Sequence, residues 1–154
     1  MTRSFVRHAL AALAAVAVAA CSTVTYAFDL KLDITPDKPE YTSGSPVVLT
    51  VRNLGDDVVA YSFCTWAVQR QTVSGWTTVD TESVACPMAI FTIDPGESVT
   101  GTVQLPDGIP SGRYRVFLPG IGEPASDQVI DARSQEEKTS KPFQVKALVA
   151  VPAS

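Results

Sequence analysis

The chain has 154 residues, 45% of them hydrophobic and 18% charged, and its 12 Lys/Arg against 16 Asp/Glu give a formal net charge of −4. That length supports one domain with a real core, and the acidic balance argues against nucleic acid or anionic headgroups as partners, because both would repel it. The one histidine, His8, sits in the apolar-led N-terminus, so the rest of the chain has no imidazole for general-base work, for a Ser-His or Cys-His pair, or for metal ligation. The expectation is a protein that is not an enzyme and needs no cofactor.

In chain order, Arg3 and Arg7 precede twelve apolar residues, Ala9 to Ala20, and small residues follow. This is the layout of a secretory signal peptide, and the run is short of the ~20 residues that span a bilayer. "VAAC" (Val18 to Cys21) resembles the lipobox of bacterial lipoproteins. That resemblance implies lipidation of Cys21, removal of residues 1–20, and, with Ser22 next, sorting to an outer membrane. "TYA" (Thr25 to Ala27) offers the alternative, an ordinary cut after residue 27 that releases a soluble periplasmic or secreted protein starting at Phe28. Removing residues 1–20 leaves 134 residues with ten Lys/Arg against sixteen Asp/Glu.

Beyond the leader, alternation and β-branched runs dominate and no helical period is visible. "FDLKLDI" (Phe28 to Ile34) puts Phe28, Leu30, Leu32 and Ile34 on one face, and "TPDKPEYTSGSP" reads as a Pro-rich turn region. Strands follow at Val47–Asn53, Val58–Cys64 and Trp66–Val73, with "SGW" as a tight hairpin turn into "WTTVD". Further strands are Met88–Ile93, Ser98–Leu105 after the "DPGE" turn, and Gly112–Leu118. Residues 119–141, rich in Gly, Pro and charge, read as a mobile surface loop with a short strand at "DQVIDA", before "KPFQVKALVAV" returns as the last strand. The expected fold is therefore all-β, an antiparallel immunoglobulin-like sandwich of 7–9 strands in one domain, residues 28–154, with an up-and-down barrel as the alternative.

Either cleavage leaves Cys64 and Cys86 as a pair. In an oxidising compartment such a pair bridges, and closing a loop of about 22 residues is worth on the order of 3 kcal/mol; two buried free thiols are the other reading.

"KPEYTSGSPVVLTVRNLGDD", with Tyr41, Gly44, Val47, Leu49, Val51 and Asn53, resembles the opening of bacterial immunoglobulin-like domains found in exported proteins and lipoproteins. The later "GW", "DPGES" and "SGRYRV" also resemble that family, so the likeness covers about Leu30 to Leu118. It implies a non-catalytic module that binds an envelope or extracellular protein or supports an assembly. A more distant similarity to the intracellular proteinase inhibitor type implies the alternative of a secreted protease inhibitor, with Met88 in the "CPMA" segment or the 119–141 loop as its contact. Cys64 and Cys86 are too close in sequence to join two sheets as antibody cysteines do, so their bridge is expected to pin one edge or corner.

Candidate surface residues are Trp66 and Trp76, since aromatics anchor interfaces, although both also fit a core beside the bridge. Arg113 and Arg115 share one strand face opposite Tyr114. They read as a solvated face or as a small basic spot for an acidic partner, while Tyr114 reads as core. Asp56, Asp57, Asp94 and Asp107 fall in turns, where Asp serves either as a calcium ligand or, more simply, as a turn residue.

Overall fold

The computed structural model describes residues 28, 30–83, 85, 91–124 and 132–148. Within them the fold is all-β: β1 (Leu32–Pro36), β2 (Glu40–Thr42), β3 (Pro46–Asn53), β4 (Val59–Tyr61), β5 (Thr65–Thr72), β6 (Gly75–Ser83), β7 (Phe91–Ile93), β8 (Ser98–Gln104), β9 (Gly112–Phe117), β10 (Ile121–Gly122) and β11 (Phe143–Lys146), with one short helix, α1 (Ala132–Glu137). Three open sheets form, in the orders β1-β3-β8, β10-β4-β7 and β2-β11-β9-β5-β6.

Alternation dictates which way each strand faces. In β3, Val47, Leu49 and Val51 are buried while Pro46 and Arg52 are exposed. In β11, Phe143 and Val145 are buried and Gln144 and Lys146 are not. The inward residues of all three sheets meet in a single core cluster, including Ile34, Leu49, Val68, Val103, Val116 and Phe143. Each such aliphatic side chain contributes about 1.5–3 kcal/mol by leaving water.

Two polar devices brace this core. Asn53 is fully buried at the end of β3; its side-chain amide donates to the carbonyls of Asp57 at 2.7 Å and Ile93 at 3.1 Å, and its Oδ1 accepts from the Gly55 amide at 3.0 Å. Tyr114, also fully buried, donates its hydroxyl to the Pro110 carbonyl at 2.6 Å. A Cβ at Gly112 would lie 3.1 Å from Arg70 Nε and 3.6 Å from the Tyr114 ring, so a larger residue there would need the Arg70 side chain to shift slightly.

The structure departs from the sequence expectations in three places. The Pro-rich "turn" region contains β2, which pairs parallel with β11, so the sheets are not wholly antiparallel. Tyr41 causes this: it is buried edge-on against Phe143, ring centroids 5.0 Å apart, and its hydroxyl donates to Asp37 at 2.6 Å. Gly44, at φ 78°, then turns the chain into β3, in a conformation that side chains with a Cβ resist. The hairpin turn falls on Val73 and Ser74, with Thr72 opposite Gly75. Between Pro119 and Lys141 the chain is not a plain loop: β10 pairs with β4, Phe117 bridges Thr139, and α1 is helical where only loop or strand was expected. Most of "DQVIDA" lies outside the described residues, and Ala132, its last residue, opens α1.

The buried phenols give the fold an alkaline signature. Burial, and then the hydrogen bond to Asp37, push Tyr41 up to about 12, and burial raises Tyr114 as well. Both folded-state values are raised, so the stability they contribute is complete below the unfolded tyrosine value of about 10. It is lost as pH climbs from there towards about 12. Tyrosinate absorbance should therefore show Tyr41 and Tyr114 ionising only as far-ultraviolet circular dichroism reports unfolding. All phenols titrating together near 10 in a folded protein would contradict this.

Candidate functional site

Opposed residues in a β-ladder share a face, and the registers of the five-stranded sheet place a polar row on its outer side. Gln69 lies opposite Arg115 on one side and Thr78 on the other; Gln71 lies opposite Trp76; Arg113 lies opposite Gln144. The inner side of the same strands carries Trp66, Val68, Tyr114, Val116 and Phe143, which belong to the core cluster. This apolar anchoring fixes the polar row on rigid backbone.

Arg115 is the centre of the row. Its Nε donates to Gln69 Oε1 at 2.8 Å, and its two terminal nitrogens donate to Glu136 of α1 at 2.7 and 3.0 Å, a bidentate pair. The guanidinium also lies 4.4 Å from the centroid of the Trp76 ring. Such charge-assisted forks are stronger than neutral hydrogen bonds, and the stacked indole adds a cation–π attraction. The hydrogen bond from Arg115 holds the Glu136 carboxyl below the usual carboxylate range. Arg113, two residues earlier on the same face, is exposed and among the described residues reaches only Gln71 Oε1, at 3.4 Å.

These placements correct two expectations. Arg115 is not on a solvated face: its side chain is 9% exposed, because α1 brings Glu136 over it. Trp66 offers no binding surface, since it is buried in the core cluster, where its indole N–H finds no acceptor among the described residues. Trp76 is half-buried beside Arg115, and Arg113 remains at the surface. Cys64 is disulfide-bonded with a partner outside the described residues. Cys21, Cys86 and Met88 also lie outside them. Asp56, Asp57, Asp94 and Asp107 are not gathered into a metal-holding group of three among the described residues, and no described helix is long and apolar enough to cross a membrane.

The sequence missed Gln69 and Glu136. Gln69 carried a weak signal, as a polar residue alternating with Val68 inside an apolar strand. Glu136 carried none, because 21 residues separate it from Arg115. A second feature is an aromatic group near Cys64, in which Tyr61 lies 5.7 Å from both Phe63 and Phe91, and Phe91 is 51% exposed. Phe63 covers Gly101, where a Cβ would come within 2.6 Å of its ring.

No family model matches the chain, and no curated protein matches it. Among solved structures, the Pseudomonas fluorescens alkylpurine DNA glycosylase AlkC bound to DNA is similar at 12% identity and a TM-score of 0.41, over 77% of this chain and 30% of that one. The β-glucosidase of Listeria innocua in complex with gluconolactone is similar at 20% identity and a TM-score of 0.33, over 78% of this chain and 16% of that one. The yjhA protein of Bacillus subtilis is similar at 16% identity and a TM-score of 0.35, over 78% of this chain and 89% of that one. This chain thus spans less than a third of the glycosylase and a smaller part of the glucosidase. Likenesses this distant leave the activities of those proteins with those proteins.

Proposed function

We propose that this chain is an exported, envelope-associated module with an immunoglobulin-like fold and a non-catalytic, protein-binding role. The observation that carries the binding reading is the outer row of the five-stranded sheet: Gln69, Gln71 and Arg113 stand on β5 and β9, whose opposite side is locked into the core, and Trp76 stands beside them on β6, paired to β5. Aromatic and arginine side chains on a rigid frame are the usual anchors of protein interfaces. The finer fold reading draws support from a tyrosine near the start of β9 bonding back to the Pro110 carbonyl, a corner known from immunoglobulin-like domains. Export draws support from the Arg-led apolar run, and the absence of catalysis from a processed chain without histidine. The pairing of Cys64 with Cys86, a lipid on Cys21 and an outer-membrane location complete the proposal. A protease-inhibitor reading gains no observation, because Met88 lies outside the described residues.

Photo-crosslinking amino acids placed at Gln71 and, as a control, at Thr100 of β8 test the binding reading in intact cells. An adduct with one envelope protein from position 71 and none from position 100 is expected; no adduct from position 71, or catalytic turnover by the purified domain, would overturn it. Intact mass of membrane and soluble fractions tests export, expecting a chain that begins at an acylated Cys21 or at Phe28. A cytoplasmic chain that keeps residues 1–20 would end that part of the proposal.

A further inference from the structure

The Arg115–Glu136 pair is asymmetric. The cation is built into the sheet, 9% exposed, with Gln69 fixing its Nε and Trp76 against its plane. The carboxylate is 67% exposed and arrives from outside on the last residue but one of a six-residue helix. What holds it there is the chain just after the helix: Leu118 N–H donates to Lys138, Ser140 N–H to Val116, and the Thr139 hydroxyl to the Glu136 carbonyl at 2.7 Å. The receiving half is thus preorganised by β5, β6 and β9, and the occupying half is one carboxylate on a short tether.

The chemistry of the seat is specific. Two parallel N–H groups and a planar cation match a carboxylate edge-on. Arg113 extends the match. It stands two positions along the same strand face, about 7 Å away by strand geometry, and among the described residues its side chain bonds only the neutral Gln71, at 3.4 Å. An extended segment with acidic residues at alternate positions would set one carboxylate on each arginine.

We propose that Arg115, Gln69 and Trp76 form a carboxylate-recognition site that Glu136 occupies in the free protein, and that an acidic segment of a partner protein, with Asp or Glu at alternate positions, displaces Glu136 and engages Arg113 as well. This rests on the protein-binding reading above and names the partner's chemistry. It also makes α1 an autoinhibitory strap. A tethered occupant acts at an effective concentration of the order of millimolar, so short acidic peptides compete poorly until the strap is released.

The test uses the protein starting at Phe28 and the capped peptide acetyl-Thr-Glu-Thr-Glu-Thr-amide, with its Gln-for-Glu counterpart as control, titrated by tryptophan fluorescence and checked by calorimetry. Glu136→Gln should bind the acidic peptide at least tenfold more tightly than the unaltered protein, and the Gln peptide should not bind. Adding Arg115→Lys or Arg113→Gln to Glu136→Gln should each weaken binding at least fivefold. Should the Arg115→Lys protein fail to fold, Arg113→Gln carries the same comparison. Equal affinity of Glu136→Gln and unaltered protein, equal binding of the two peptides, or no binding at all would overturn the proposal. A crosslinked envelope partner at position 71 would survive any of those results, so the two readings fail separately.

Discussion

Truncating Tyr114 to alanine should lower the unfolding free energy by about 4 kcal/mol, the range of large aromatic truncations in cores, and Tyr114→Phe by about 1–2 kcal/mol. The first figure reflects a ring with no exposed surface, set in a core cluster drawn from all three sheets. The phenylalanine variant keeps that packing and removes only the hydroxyl, leaving the Pro110 carbonyl without its 2.6 Å donor. Urea unfolding separates the two effects: both variants should shift the midpoint without changing the slope, with alanine well beyond phenylalanine. Equal losses would mean that the hydroxyl, not the ring, holds this corner. No loss in the phenylalanine variant would mean that the bond adds nothing beyond what water supplies.

Asn53→Ala should cost about 3 kcal/mol, because a buried side chain that satisfies several backbone groups leaves each of them unpaired when it goes, at about 1–3 kcal/mol per group. Here the groups are the Gly55 amide and the carbonyls of Asp57 and Ile93, which tie the loop after β3 to β7. Asn53→Asp should be at least as damaging. A carboxylate can still accept from Gly55, but it cannot donate to two carbonyls, and a buried negative charge facing their oxygens is disfavoured. Equilibrium unfolding and hydrogen exchange at the Gly55 amide check this. If the aspartate variant matched the native protein in stability, the two donated bonds would have no energetic weight.

Both residues belong to patterns visible in the sequence, but their roles were not. Asn53 closes an apolar strand in "VVLTVRN", and Tyr114 alternates between two arginines in "GRYRVF". The period placed Tyr114 inward with Val116, and that is where it lies. It could not say that Asn53 reaches across to Ile93, 40 residues away, because a side-chain amide has no period.

The sequence by itself determined the β character of this protein, the shared inward face of Leu30 and Ile34, the inward face of β9, and the Pro-Gly turn at Asp94–Glu97. These follow from local rules: side chains alternate along a strand, and a few residue types accept the dihedrals of turns. Only the tertiary structure decided the parallel pairing of β2 with β11, the helical turn at α1, and the closure of Arg115 by Glu136. Each depends on partners distant in the chain. β2 pairs where its Tyr41 packs on Phe143 of β11, and Glu136 is held on the sheet by residues 138–140 bonding to the end of β9. A local pattern that reads "charged, so exposed" cannot foresee a charge covered by its own counter-ion. That is why Arg115, expected at a solvated face, is instead the most enclosed charge of the candidate site.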